Sequence, residues 1–295
     1  MALILLGVAA ITFVLLYALP ADPARMIAGR SATAQTVANI RRELGLDQSL
    51  PVQFWSYLSN LLQGNLGRSY AQKTEVATLV MARLPATLTL MFSGIVVEVV
   101  LGLTLGTIAA VRRGGFVDRL VMMASFVGVS APQFVVALLL LYVFAATLGW
   151  FPMSGYGTFS HVVLPAATLG VLGAGWYARM VRSAMIDVLN QDYVRTARAK
   201  GLSSRRITFR HALPNAVLPV IAMIGIDIGQ FMGGVVVVEA VYGWPGIGQL
   251  AWQAIQQVDI PIIMGVTLTS ALAIILGNLV ADLIAPVIDP RIRTR

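Results

Sequence analysis

The sequence predicts an all-α polytopic membrane protein with six transmembrane helices and both termini in the cytoplasm. Three observations predict it. Of 295 residues, 58% are hydrophobic and only 12% charged, with mean hydropathy +0.81, whereas soluble domains carry about a quarter charged residues. Apolar runs of bilayer length recur along the chain, and in hydrocarbon helices are the default because an open sheet edge would leave backbone groups unsatisfied. The basic residues, finally, sort to alternate loops.

The first span covers 1–19. No Lys or Arg precedes Arg25, so the stretch lacks the basic start of a signal peptide. It is barely long enough for a bilayer core and reads as a first membrane helix that begins abruptly. The segment 20–85 reads as short helices on the outer membrane surface. Thr33 can cap a helix carrying Val37, Ile40 and Leu44, which Gly45 ends. Pro51 suits the first turn of a second helix, with Val52, Trp55, Leu58 and Leu62 on one stripe. A third, over 75–83, groups Val76, Leu79 and Val80 before Pro85 opens span two. Further spans follow at about 86–111, 119–148, 162–181, 216–238 and 261–286. After span five, Ile247, Leu250, Ala251, Ala254 and Ile255 form an uncharged apolar face that reads as packing against the bundle.

Sidedness follows from charge. The loops after spans two and four and the carboxyl tail carry fourteen of the 21 Lys and Arg residues, and the loops 149–161 and 239–260 carry none. The basic loops face the cytoplasm. Trp150, Tyr156 and Trp244 lie on the opposite side, as an interfacial aromatic belt.

Composition also excludes. The isoelectric point near 10.3 would ordinarily suggest nucleic acid, but here the positive charge is a topology signal and no nucleic-acid partner is expected. There is no cysteine, hence no disulfide framework, thiolate metal site or thiol nucleophile. A P-loop needs a Gly-Lys-[Ser/Thr] ending whose lysine and backbone amides hold phosphate. Lys200 is followed by Gly201 and fails. Gly67-Arg-Ser-Tyr-Ala-Gln-Lys-Thr74 is a near miss with Gln72 in place of glycine. His161 and His211 lack ligand spacing, and no Gly-x-Ser-x-Gly elbow occurs. The chain reads as no enzyme, binding no cofactor and no metal.

Four carboxylates fall in or near spans: Glu98, Asp227, Glu239 and Asp282. A charge in hydrocarbon costs about 2.5–3.5 kcal/mol on insertion scales, so each is a functional candidate. Asp282, one turn after Asn278, reads as structural, and Glu239 as sitting at the outer interface where solvation is cheap. Glu98 and Asp227 lie nearer the midplane, and Gln230 is a third candidate for the pathway or an interface. Asp227 falls within Gly225-xxx-Gly229-xxx-Gly233, a spacing that lets helices approach closely. For Asp227 an interface hydrogen bond and a place in the translocation path stay equally open.

The polar island Asp192-Tyr-Val-Arg-Thr-Ala-Arg-Ala-Lys-Gly201 through Pro214 stands between apolar spans. A basic loop is often only a topology determinant drawn to anionic lipid. Here Met185, Leu189, Tyr193 and Ala197 recur at helical spacing and give the island an apolar stripe to present. Gly201 supplies a hinge, Ser203 can cap the next helix, and Pro214 ends it.

The order of this island resembles the cytoplasmic coupling loop of ABC importer membrane subunits, in which a Glu-Ala-Ala triplet precedes a glycine and Ile-x-Leu-Pro follows ten residues later. Ala197, Gly201, Leu213 and Pro214 fall in register, while Arg195, Thr196 and His211 depart from the pattern as in the peptide/nickel subclass. Leu19-Pro-Ala-Asp-Pro23, Leu44-Gly-Leu-Asp47, Gly64-Asn-Leu-Gly67, Leu84-Pro-Ala-Thr87, Trp244-Pro-Gly-Ile-Gly248, Asn278-Leu-Val-Ala-Asp282 and Asp289-Pro-Arg-Ile-Arg293 extend the likeness to dipeptide/oligopeptide/nickel ABC importer permeases. Ala21 and Asn65 stand where that family usually has Gly and Asp.

The resemblance implies a type I importer permease in the bacterial cytoplasmic (inner) membrane, working by alternating access. Its implied partners are a second homologous permease subunit in a heterodimer, two ATP-binding subunits that hold ATP and Mg, and an extracytoplasmic substrate-binding protein. Its implied domains are 1–83 (first helix plus extracytoplasmic segment), 84–287 (the permease domain, with the coupling loop at 184–214) and a 288–295 tail. Asp192, Tyr193, Arg195, Ala197, Gly201, Leu202, Arg205, Arg206, His211 and Pro214 would meet the ATPases. The family carries peptides, glutathione-like peptides and nickel or metal chelates, and the short loop Trp150–His161 is similar to its chelate and glutathione members. The rival class is an ion-coupled secondary transporter with Glu98 or Asp227 carrying protons. That reading leaves the hinged island unexplained, and a scaffold or channel has no support beyond the six spans.

Overall fold

In the computed structural model every regular element is helical, apart from one isolated bridge pairing Arg68 with Glu75. It describes residues 2–18, 23–29, 32–43 and 45–288. The landmarks at Leu19–Asp22, Leu44 and the tail from Asp289, together with the side chain of Asp282, lie outside them.

Helix α1 (Ala2–Ala18) is apolar all round. Its Phe13 meets Phe54 edge-on at 5.2 Å and stacks on Tyr57 at 5.9 Å. Between them come α2 (Pro23–Ala28) and α3 (Ala34–Glu43). As the sequence predicts, the Thr33 hydroxyl accepts from the Thr36 amide at 3.2 Å, and Gly45 follows α3 with φ +66°. Helix α4 (Leu50–Leu62) has proline in its first turn and leaves Val52, Trp55 and Leu62 exposed. That outward stripe suits a helix lying on a membrane surface.

Helix α5 (Val76–Val111) runs through Pro85, so the separate helix predicted over 75–83 is instead its opening turns. Proline forfeits one backbone bond. Val76 and Val80 on one side of it and Ala86 and Leu90 on the other bury into the same core, which keeps both halves collinear. The span predicted as one helix over 119–148 breaks. Helices α6 (Phe116–Ser130) and α7 (Gln133–Leu140, prolonged by a π turn to Thr147) meet at 105°. Ala131 is extended before Pro132, with ψ 131°, and the Pro132 carbonyl then starts α7 by accepting from Val135 and Val136. A residue before proline is pushed out of the α region, and here the chain turns on it.

Helix α8 (Phe159–Leu189) outruns its predicted end and carries Arg179 and Arg182 within it. It packs along α5 through glycine. A Cβ on Gly102 would come within 2.1 Å of the Tyr177 Cβ, and one on Gly170 within 2.2 Å of Val97. Close helix approach was also expected along Gly225, Gly229 and Gly233, and at Gly229 it occurs: a Cβ there would fall 3.3 Å from Ile274, and one on Gly277 within 2.4 Å of Ile228. The remaining elements are α9 (Asp192–Ala199), α10 (Ser204–Arg206, followed by a π turn Ile207–Ala212), α11 (Leu213–Ala216), α12 (Leu218–Gly234), α13 (Val236–Val241), α14 (Ile247–Gln257) and α15 (Ile260–Ile288).

Among the described residues three helices are long and apolar enough to cross a bilayer: α5, α8 and α15. The number is five if α6–α7 counts as one span and Ser204–Ala216 with Leu218–Met232, bent by 48°, as another; Leu3–Val14 is a shorter apolar helix. The main core gathers around Trp244, which is fully buried and donates its indole N–H to the Ala86 carbonyl at 2.9 Å. Trp244 is therefore not part of an interfacial belt, whereas Trp150 is 64% exposed. Of the face predicted to pack on the bundle, Ile247, Leu250 and Ala254 of α14 bury in this core and Ala251 packs against it, while Ile255 is exposed.

Two long-range clamps hold the frame. Arg182 on α8 donates to Asp118 on α6 through Nε and Nη2, at 2.5 and 2.7 Å, and Asp118 also accepts the Gly114 amide at 2.8 Å. Asp259, fully buried at the α14–α15 turn, accepts from the Ser69 hydroxyl at 2.5 Å and the Ala71 amide at 2.9 Å. Replacing Arg182 by alanine leaves buried Asp118 with a single donor. We expect this to cost about 1.5–3 kcal/mol, the worth of hydrogen bonds to a charged group. Denaturant titration of the detergent-solubilised chain, followed by circular dichroism, measures it.

Candidate functional site

The polar island folds as the two hinged segments that the sequence predicts. Helix α9 ends in a Schellman turn: the Gly201 amide bonds the Arg198 carbonyl at 2.9 Å, and the Leu202 amide bonds the Ala197 carbonyl at 3.3 Å. Gly201 sits at φ +77°, where a residue with a Cβ is strained, and its own Cβ would meet open space. Ser203 then caps the next segment by accepting from the Arg206 amide at 3.4 Å. Pro214 does not end that segment. It stands in the first turn of α11, where a missing N–H costs nothing, and the preceding π turn carries the helical path onward.

The predicted apolar stripe divides: Met185 and Ala197 face inward, while Tyr193 is exposed. Met185 is fully buried against Val181, Ala212 and Ala216, and Ala197 packs with Val194, Ile207 and Leu202. Met185, Val194, Ala197 and Ile207 anchor the island in apolar clusters. Asp192, Tyr193, Arg195, Gly201, Arg205, Arg206 and Pro214 are exposed, His211 and Leu202 half-buried. Tyr193 spans the hinge, donating to the His211 carbonyl at 3.3 Å and accepting from the Asn215 amide nitrogen at 3.0 Å. Phe209 is 58% exposed in the middle of this basic surface. Sequence reasoning passed over it, although an aromatic residue inside a polar, cationic stretch was the available signal.

Glu239 corrects an expectation. It is fully buried, not solvated at an interface. Its carboxylate accepts from the Thr87 hydroxyl at 2.9 Å and from the Gln249 amide at 2.7 Å, at the start of α14. The positive end of a helix replaces solvent.

Glu98, Asp227 and Gln230, the three pathway candidates, converge on one cavity. It has a volume of about 500 Å³ and lies between α5, α6–α7, α8 and α12, with Gln133, Trp176 and Tyr177 also in its wall. Glu98 is 3% exposed, and its carboxyl lies beside that of Asp227. Tyr177 donates a hydrogen bond to the second carboxyl oxygen of Asp227. Asp227 thus has a hydrogen-bond partner within this chain. Gln133, Trp176 and Tyr177 were not foreseen, though Tyr177 stands out in an otherwise Gly- and Ala-rich stretch of span four.

An all-helical bundle with bilayer-length helices, an embedded polar cavity and a hinged basic loop defines the membrane-embedded part of a solute transporter. The comparisons narrow the class. Residues 102–294 match the family described as the binding-protein-dependent transport system inner membrane component, and residues 1–91 match its N-terminal companion. The chain belongs to this family: it is a multi-pass inner-membrane permease of a bacterial binding-protein-dependent ABC importer.

Among its relatives, the glutathione transport system permease protein GsiC of Salmonella paratyphi A is 42% identical over 289 residues, covering 98% of this chain and 94% of that one. GsiC of Escherichia coli (strain K12) is 42% identical over 286 residues, covering 97% and 94%. A solved structure of the MetNI methionine ABC transporter, in an inward-facing conformation, shares the fold with a TM-score of 0.58. It is 22% identical in sequence and covers 71% of this chain and 96% of that one.

Proposed function

We propose that the chain is one of two homologous permease subunits in a type I importer that moves small peptide-like solutes, glutathione-like ones foremost, by alternating access. The observation that carries this is the hinged, exposed, basic segment Asp192–Pro214, coupled with identity to glutathione permeases over nearly the whole chain. In this reading α1 is a sixth span and both termini face the cytoplasm. Residues 1–83 form the first helix and outer segment, and 84–287 the permease domain.

Tyr193, Arg195, Arg205, Arg206 and Phe209 form the surface that meets the ATPase subunits. ATP and Mg bind on those subunits, and closure of the ATPases drives the segment against α8 and α12. A binding protein delivers solute from outside. Phe209 is the apolar anchor of that surface, since a buried aromatic outweighs rim charges at an interface.

The complex of this chain with its partner subunits, reconstituted in vesicles, tests the reading. Uptake of glutathione should follow ATP and the binding protein, and should ignore an imposed proton gradient. Uptake driven by the gradient without ATP would instead establish a secondary transporter.

A further inference from the structure

The cavity wall holds two carboxyl groups, two amides, a phenol and an indole, and no Lys, Arg or His. Arg179, one turn along α8 from Trp176, is engaged with rings. Its guanidinium lies 4.4 Å from the Trp176 ring and 5.0 Å from that of Phe126. The Glu98 Oε2 atom is buried and has no hydrogen-bond partner among the described residues, although the side chain borders open cavity. An acceptor placed there can take a donor from whatever occupies the cavity.

The chemistry of the wall selects among such donors. Two adjoining carboxyls attract a cation, and the donor set argues against a metal, since no group of three or more His, Cys, Asp or Glu that could hold an ion occurs among the described residues. An ammonium needs less: one or two carboxylate oxygens, and gains from an aromatic face beside them. The cavity is also far larger than one ion requires and within the range of small-molecule sites. We propose that Glu98 and Asp227 recognise the protonated amino group of the solute during transit. Tyr177 orients Asp227, and Trp176 and Gln230 flank the solute. This rests on the reading of the chain as a permease for peptide-like solutes, and names the part of the solute that this chain handles.

The test uses the full complex in vesicles with its binding protein and ATP, and compares saturating glutathione with its N-acetylated form. The wild-type complex should import glutathione faster. In Glu98→Gln and Asp227→Asn complexes that preference should fall about tenfold, the scale of one charge-assisted hydrogen bond, while the subunits still co-elute. Equal loss of both solutes, or an unchanged preference, would overturn the proposal. So would failure of both variants to assemble, which would make the pair an interface with the second permease. If the wild-type complex imports neither form, the peptide-solute reading falls and takes this proposal with it. Wild-type import with an unaltered preference in the variants removes this proposal alone.

Discussion

Gly201→Val should abolish ATP-driven uptake while leaving the membrane helices folded. A β-branched residue at φ +77° is held in the left-handed region at a cost of roughly 1–2 kcal/mol. A Cβ there meets no neighbour, so the whole penalty is backbone strain. The chain relieves it by undoing the Schellman turn, which swings Ser203–Ala212 away from Val194 and Ala197. Those contacts set the angle of the proposed ATPase surface, and a tilted surface transmits no movement. Gly201→Asn should keep most transport, because asparagine tolerates this conformation. Arg205→Ala or Arg206→Ala alone should cost little, since exposed ion pairs are worth about 0–1 kcal/mol. The measurements are uptake in reconstituted vesicles, co-purification of the ATPases and helicity by circular dichroism. Wild-type uptake by the valine variant would show that this loop does not couple the ATPases to the spans.

The hinge was legible because its signals are local. Capping residues, a glycine and a change from apolar to basic composition all fall within about twenty residues, and helix-end chemistry depends on nothing further away. Proline behaved differently at each place. Pro85 and Pro165 lie inside continuous helices, Pro132 stands at the 105° bend, and Pro214 opens a turn. The ring's effect is the same each time: one lost donor and a crowded preceding residue. Whether the helix survives depends on what packs on either side, which belongs to the tertiary structure.

The buried polar contacts were the least legible. Thr87 and Glu239 are 152 positions apart, Ser69 and Asp259 190, and Asp118 and Arg182 64. Nothing in the sequence near Glu239 distinguishes a carboxylate at a wet interface from one seated on a helix end. The cavity was partly legible, because an ionisable residue in an apolar span is expensive wherever it points. Glu98 and Asp227 could be picked out on that ground, but their adjacency could not.

Glu239→Ala should be the most destabilising single change in the permease core. The carboxylate joins α5, α13 and the start of α14 through the Thr87 hydroxyl and the Gln249 amide, and Thr87 in turn accepts from the Ile247 amide at 2.8 Å. Truncation leaves the part-buried Gln249 N–H and the buried Thr87 hydroxyl without their acceptor. Each orphaned group costs about 1–3 kcal/mol. The sequence Trp244-Pro-Gly-Ile-Gly248 is shaped to this carboxylate. A Cβ on Gly246 would fall 1.9 Å from Oε1, and one on Gly248 2.9 Å from Oε2. Gly246→Ala should therefore reproduce much of the Glu239→Ala defect by pushing the acid off the helix end, although it removes no hydrogen-bonding group. Gly248→Ala should be milder, because its contact is longer. Yield of monodisperse protein after detergent extraction and the unfolding midpoint would rank the three. A Glu239→Ala chain as stable as the wild type would mean that apolar packing around Trp244, and not the carboxylate, holds α14 against the bundle.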